Sequence, residues 1–173
     1  EEFEHAKKRG AKIYAELVGF GAGCDAVGAD SRIAGSTGIQ FAIQAALRDA
    51  RMNPEDIGYY NAHGLSTQDG DRAEASALRA ALGSHAPQVP VSAHKSNMGN
   101  AVAASGSIEF IAGLLASQHG VIPHTINYTK PDPDCPLRVV AGSPRELRRP
   151  SFLSVNATRL GQAAAVVARK CEG

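Results

Sequence analysis

Residues 57–83 read IGYYNAHGLSTQDGDRAEASALRAALG, and three signals in that order decide the architecture. The apolar and aromatic run IGYYNAH (57–63) has the length and composition of a short strand, ending at His63-Gly64. The polar loop GLSTQDG follows. Beyond it, Asp71 and Glu74 have capping-box spacing, Ala73, Ala77, Leu78 and Ala81 fall on one helical face, and Gly83 is placed to close the helix. A strand feeding a helix through a short loop is the unit of an α/β sheet.

The same alternation extends both ways. Upstream, AKIYAELVGF (11–20) predicts a strand running into Gly21-Ala22-Gly23. Residues 38–51 place Ile39, Ile43, Ala46, Leu47 and Ala50 on one helical face, with Ser36 or Thr37 as cap and Pro54 as stop. Downstream, VPVSAHK (89–95) predicts the next strand. Residues 101–118 are apolar nearly all round, through Ile108, Phe110, Ile111, Leu114 and Leu115, which predicts a helix buried between layers. After the turn-rich HTINYTKPDPDCP come two strand candidates, LRVVAG (137–142) and a longer one over 152–170, interrupted near Arg159-Leu160-Gly161. The order β-α-β-α-β-α-β-β predicts an α/β fold, a five-stranded mixed sheet with helices on its faces.

At 173 residues the chain has room for one domain with a real core. A net charge of +1 offers no global field to nucleic acid or an anionic membrane, and Lys7-Lys8-Arg9 reads as a solvated face. No apolar run reaches the roughly 18–20 residues of a membrane span, and the charged opening EEFEHAKKRG resembles a helix end more than a signal peptide. Cys24, Cys135 and Cys171 are odd in number and lack C-x-x-C spacing. That speaks against a disulfide framework or zinc site and for a reducing cytoplasm. Six scattered histidines show no ligand spacing, so no metal is expected.

The chemistry gathers at two strand ends. In open α/β sheets, ligands collect beyond the carboxyl ends of strands. His63 lies at one such end, and Lys95 and Asn100 lie just past the next, offering an imidazole, an ammonium and an amide to one crevice. A lone strand-end histidine is more often structural than catalytic.

The wider pattern carries a resemblance. NAHGLSTQDGDRAEASALRAALG, VSAHKSNMGN and AASGSIE together resemble the carboxyl-terminal half of a β-ketoacyl-acyl-carrier-protein synthase, of the thiolase-like condensing-enzyme superfamily. The opening EEFEHAKKRGAKIYAELVGFG and the loops VIPHTIN and PDPDCPL are similar to the same half, so the resemblance spans the chain. It implies decarboxylation of a malonyl thioester to an enolate that attacks an acyl-cysteine, in fatty-acid or polyketide assembly. By resemblance His63 is a donor to the enolate oxygen. Lys95 and Glu109 are a supporting pair, and Thr67 is a pantetheine-binding hydroxyl. The resemblance also implies an acyl carrier protein as partner, which brings the phosphopantetheine so that no bound cofactor is needed. It further implies an amino-terminal half of the same synthase carrying the nucleophile, and a homodimer or heterodimer of synthase subunits. Part of this half's apolar surface should pack against the sister half.

Asn100 departs from the elongating synthases, which place a second histidine there. Three readings stand side by side: a helix cap; the amide donor of a cysteine–histidine–asparagine set, as in initiating and chalcone-synthase-like enzymes; or the mark of a non-catalytic chain-length or scaffold partner. Two further departures bear on the choice. Leu65 replaces a threonine in the H-G-T-x-T loop, and SVNATRLGQ (154–162) replaces the glycine-rich N-S-F-G-F-G-G-T-N, keeping Gly161 and putting Thr158 near the gate position. Non-glycine residues there would resist any positive φ the turn demands. None of the three cysteines opens a helix beside His63, so this part alone is not expected to condense anything.

Overall fold

The computed structural model describes residues 1–25 and 36–171. A short helix α1 (Phe3–Lys8) leads into the edge strand β1 (Glu16–Cys24) and helix α2 (Thr37–Ala50). Strand β2 (Tyr59–Asn61), helix α3 (Gln68–Leu82) and strand β3 (Pro90–Ser92) follow, then the single turn α4 (Lys95–Met98) and helix α5 (Ser105–His119). Two-residue strands β4 (Val121–Ile122), β5 (Arg138–Val139) and β6 (Arg145–Glu146) precede the long pair β7 (Ser151–Ala157) and β8 (Gln162–Arg169).

The main sheet runs β1-β8-β7-β2-β3-β5. Strands β7, β2, β3 and β5 are parallel neighbours, while β8 is antiparallel to both β7 and β1. The expected mixed α/β sheet with helices on its faces is present, with six strands instead of five. The run 152–170 is a hairpin, since the chain reverses at Thr158–Gly161 and β8 pairs back along β7. A separate ribbon joins β4 to β6.

Each face of the sheet has its own core. Ile43, Leu78, Tyr60, Leu153 and Val167 pack under α2 and α3, and Tyr59, Phe152, Ile122 and Ala116 under α5. The first face is unusually close-packed. Gly19, Gly21 and Gly23 recur every second residue on β1, and a Cβ at any of them would run into the α2 backbone at Ala46, Ala42 or Gly38. Period two on a strand meets period four on a helix, so two small-residue stripes let the backbones touch. Replacing Gly21 by alanine is expected to destabilise the fold by about 1–3 kcal/mol, as overpacking does. An unchanged urea midpoint would show that α2 can simply lift away.

Two helix expectations need correction. Helix α3 begins at Gln68, so Asp71 and Glu74 lie inside it and form no capping box; Glu74 instead turns into the core. Helix α5 begins at Ser105 and buries only Ser105, Glu109, Gly113, Ala116 and Ser117. Its other side leaves Ile108, Ile111 and Leu115 at 39%, 54% and 49% exposure, so that apolar stripe is open in this chain instead of lying between layers.

Candidate active site

Strand β2 ends at Asn61, and the backbone turns through Gly64 at φ +47°, where a side chain would press on Ala93. Glu74 holds this turn from below. One carboxylate oxygen accepts the His63 N–H at 2.7 Å and the Tyr60 hydroxyl at 2.7 Å; the other accepts the Gly64 N–H at 2.9 Å. Burial, reinforced by the Glu74 charge, keeps the Tyr60 phenol protonated far above its ordinary range. The His63 backbone is therefore pinned by an acid that the residue spacing had assigned to a helix cap.

Lys95 and Glu109 meet behind His63, both buried. The ammonium lies 2.5 Å from Glu109 Oε1, donates to the His63 carbonyl at 2.6 Å and stands 3.3 Å from His63 Nδ1. The ammonium thus has two fixed acceptors, Glu109 Oε1 and the His63 carbonyl, and His63 Nδ1 is a third whenever that nitrogen is unprotonated. Asn156, at the end of β7, donates from Nδ2 to Glu109 Oε2 at 2.9 Å and places Oδ1 3.3 Å from His63 Nδ1. Asn61 donates to the Glu109 carbonyl and to Ser154 Oγ. Residue patterns gave no sign of Asn61 or Asn156, and pointed to Glu74 only as a helix cap. The one available signal is the spacing of Ser154 and Asn156, two apart on a strand and so on one face.

Asn100 is not the cap of a helix, since Ala104 takes the N-cap position of α5 and Ala101 that of the short turn before it. Its Oδ1 accepts the Val102 N–H and the Ser105 hydroxyl, both at 2.9 Å, which ties the turn leading into α5. Its Nδ2 has no protein partner among the described residues. The next turn is strained: Val102, β-branched and 81% exposed, sits at φ +53°.

A cavity of about 530 Å³ opens beside this cluster, and Asn100, Lys95, Gly64 and Leu65 contribute to its wall. His63 itself is not part of that wall, although its chain neighbours Ala62 and Gly64 are. Nor is Thr67, which takes the N-cap position of α3 while Ser66 and Gln68 face the cavity. The structure thus joins His63, Lys95 and Glu109 directly, sets Asn100 on the adjoining wall, and leaves Thr67 outside it. Cys135 also lines the cavity, but burial and then Asp132 push its thiol pKa up, the wrong direction for a nucleophile. The hairpin turn demands less than its glycine-rich counterpart suggested, because its one left-handed residue is Gly161 at φ +84°.

His94 stands beneath this site, buried, with Nε2 unpartnered among the described residues and its ring edge-on to Tyr59. Burial lowers its pKa; the nearby Glu109 charge opposes this and Lys95 adds to it. The unfolded chain then takes up the proton first. Stability is therefore full above the ordinary imidazole value of about 6.5 and declines as pH falls below it. Urea midpoints across that window should show the decline, and His94→Leu should flatten it; an equal slope in both proteins would contradict the assignment.

Among the described residues, no group of three or more His, Cys, Asp or Glu is placed to hold a metal ion, and no helix is long and apolar enough to cross a membrane.

Comparison with known proteins shows the family and the fold. Residues 14–129 match the family described as "Beta-ketoacyl synthase, C-terminal domain". The chain belongs to that family. It is 43% identical to the "Tetracenomycin polyketide synthase ketoacyl synthase alpha subunit" of Streptomyces glaucescens, over 99% of its own length and 41% of that protein's. Two solved structures superpose closely. "AntDE:AntF (apo): type II PKS acyl-carrier protein in complex with its ketosynthase bound to the hexaketide" gives a TM-score of 0.93 at 34% identity, over 99% of this chain and 42% of that one. "The ishigamide ketosynthase/chain length factor" gives 0.92 at 35% identity, over 99% and 42%. The chain thus spans about two fifths of the proteins it matches.

Proposed function

We propose that this chain is the carboxyl-terminal domain of a β-ketoacyl-acyl-carrier-protein synthase, acting with an amino-terminal half that carries the acylated nucleophile. In the reaction the malonyl C–C bond breaks, carbon dioxide leaves, and the electron pair passes to the thioester carbonyl as an enolate. The enolate carbon then attacks the acyl thioester, forming the new C–C bond and expelling the thiolate. His63 and Asn100 donate N–H to the oxygen that becomes anionic, His63 through Nε2 while Lys95 donates to Nδ1. Such donors act most strongly where water is excluded. The pantetheine arm arrives on an acyl carrier protein, so no resident cofactor is called for. The synthase works as a dimer of like or related subunits in the cytoplasm.

One observation carries the reading: Lys95 Nζ touches both Glu109 and His63, while Asn100 has its carbonyl tied down and its amide unpartnered on the adjoining cavity wall. The test is malonyl-carrier-protein decarboxylation by the full-length protein, comparing His63→Ala and Asn100→Ala with wild type. If neither slows it by at least about tenfold, the donor assignment is wrong, since a lost donor usually costs a hundredfold or more.

A further inference from the structure

We infer that Asn156 is a positioning residue that sets which ring nitrogen of His63 carries the proton, in competition with Lys95. This deepens the reading of His63 as a donor and rests on it only for the catalytic consequence.

The orientation of the amide follows from its partners. Glu109 Oε2 accepts at 2.9 Å, so Nδ2 must face it, and the carbonyl Oδ1 is turned towards His63 Nδ1 at 3.3 Å. Lys95 Nζ approaches the same nitrogen, also at 3.3 Å. The two neighbours make opposite demands. The ammonium only donates, so its contact is satisfied when Nδ1 holds a lone pair and Nε2 carries the proton. The Asn156 carbonyl only accepts, so its contact is satisfied when the proton is on Nδ1 and Nε2 is bare. With Lys95 alone, the ring would be held as a donor. With Asn156 present, the Nδ1–H form gains a partner, and Nε2 becomes able to take up a proton as well as give one. The side-chain hydrogen bonds of Asn156 go to Glu109 and His63 alone, so its effect on the reaction passes through them.

The experiment records the side-chain nitrogen resonances of His63 in the full-length protein labelled with nitrogen-15, at a pH of about 8, where an ordinary imidazole is neutral. Wild type is compared with Asn156→Leu and Asn156→Ser; serine covers the case in which leucine prevents folding. The expected result is a wild-type Nδ1 signal displaced towards the protonated, pyrrole-like position. In either variant it should return to the unprotonated position, with Nε2 fully protonated. A Nδ1 signal already unprotonated in wild type and unmoved in both variants overturns the role of Asn156. Decarboxylation rates taken in parallel keep the two readings apart. A tautomer change in the variants, with His63→Ala leaving the rate intact, upholds Asn156 as the positioning residue while removing the donor role of His63.

Discussion

Substituting His63 by alanine in the full-length protein is expected to slow malonyl decarboxylation by about 100- to 1,000-fold with little change in KM, as loss of one preorganised oxyanion donor does. The expectation follows from how rigidly the ring is placed. Glu74 fixes its backbone N–H, Lys95 fixes its carbonyl, and both Lys95 and Asn156 stand at Nδ1. A ring held on one edge loses little on reaction and can present its other edge in a set direction. Asn100→Ala should cost less than His63→Ala if its Nδ2 is the weaker donor. Asn100→His, which restores the residue of the elongating synthases, should stay within about tenfold of wild type because either side chain offers an N–H. A His63→Ala protein with wild-type kcat would leave only ancestry.

The second large effect concerns stability. Glu109→Gln should destabilise the protein by about 3–5 kcal/mol, because it leaves the Lys95 ammonium buried without its counter-charge. For a protein of this size that corresponds to a fall in Tm on the order of 10 °C. Lys95→Met should be similarly harmful, for the mirror-image reason. The double variant Glu109→Gln with Lys95→Met should be markedly more stable than either single one, since no uncompensated charge remains. Additive losses would mean that the pair contributes through packing and not through charge. Melting curves decide stability, and decarboxylation should remain low in the double variant because the support behind His63 is gone.

Much of the fold was legible because it rests on local rules. The strand at Tyr59–Asn61, the helix closing at Gly83 and the helix over 37–50 follow from hydrophobic period and end signals, which depend on neighbours in the chain. Along the chain the hairpin of β7 and β8 reads as one interrupted strand, because its turn has one glycine and no strong turn pair to announce a reversal. The start of α5 was misplaced because small apolar residues suit a tight turn and a helix equally well.

The order of residues by itself determined the mixed sheet, the family resemblance, and the placing of His63, Lys95 and Asn100 near strand ends. Only the tertiary structure decided who touches His63. Glu74, Asn61 and Asn156 reach the site from α3, β2 and β7, and contacts between residues as many as 93 apart leave no periodic trace along the chain. Burial completes the difference. An acid or an amide reads as ordinary surface chemistry until folding removes water and leaves one neighbour to satisfy it.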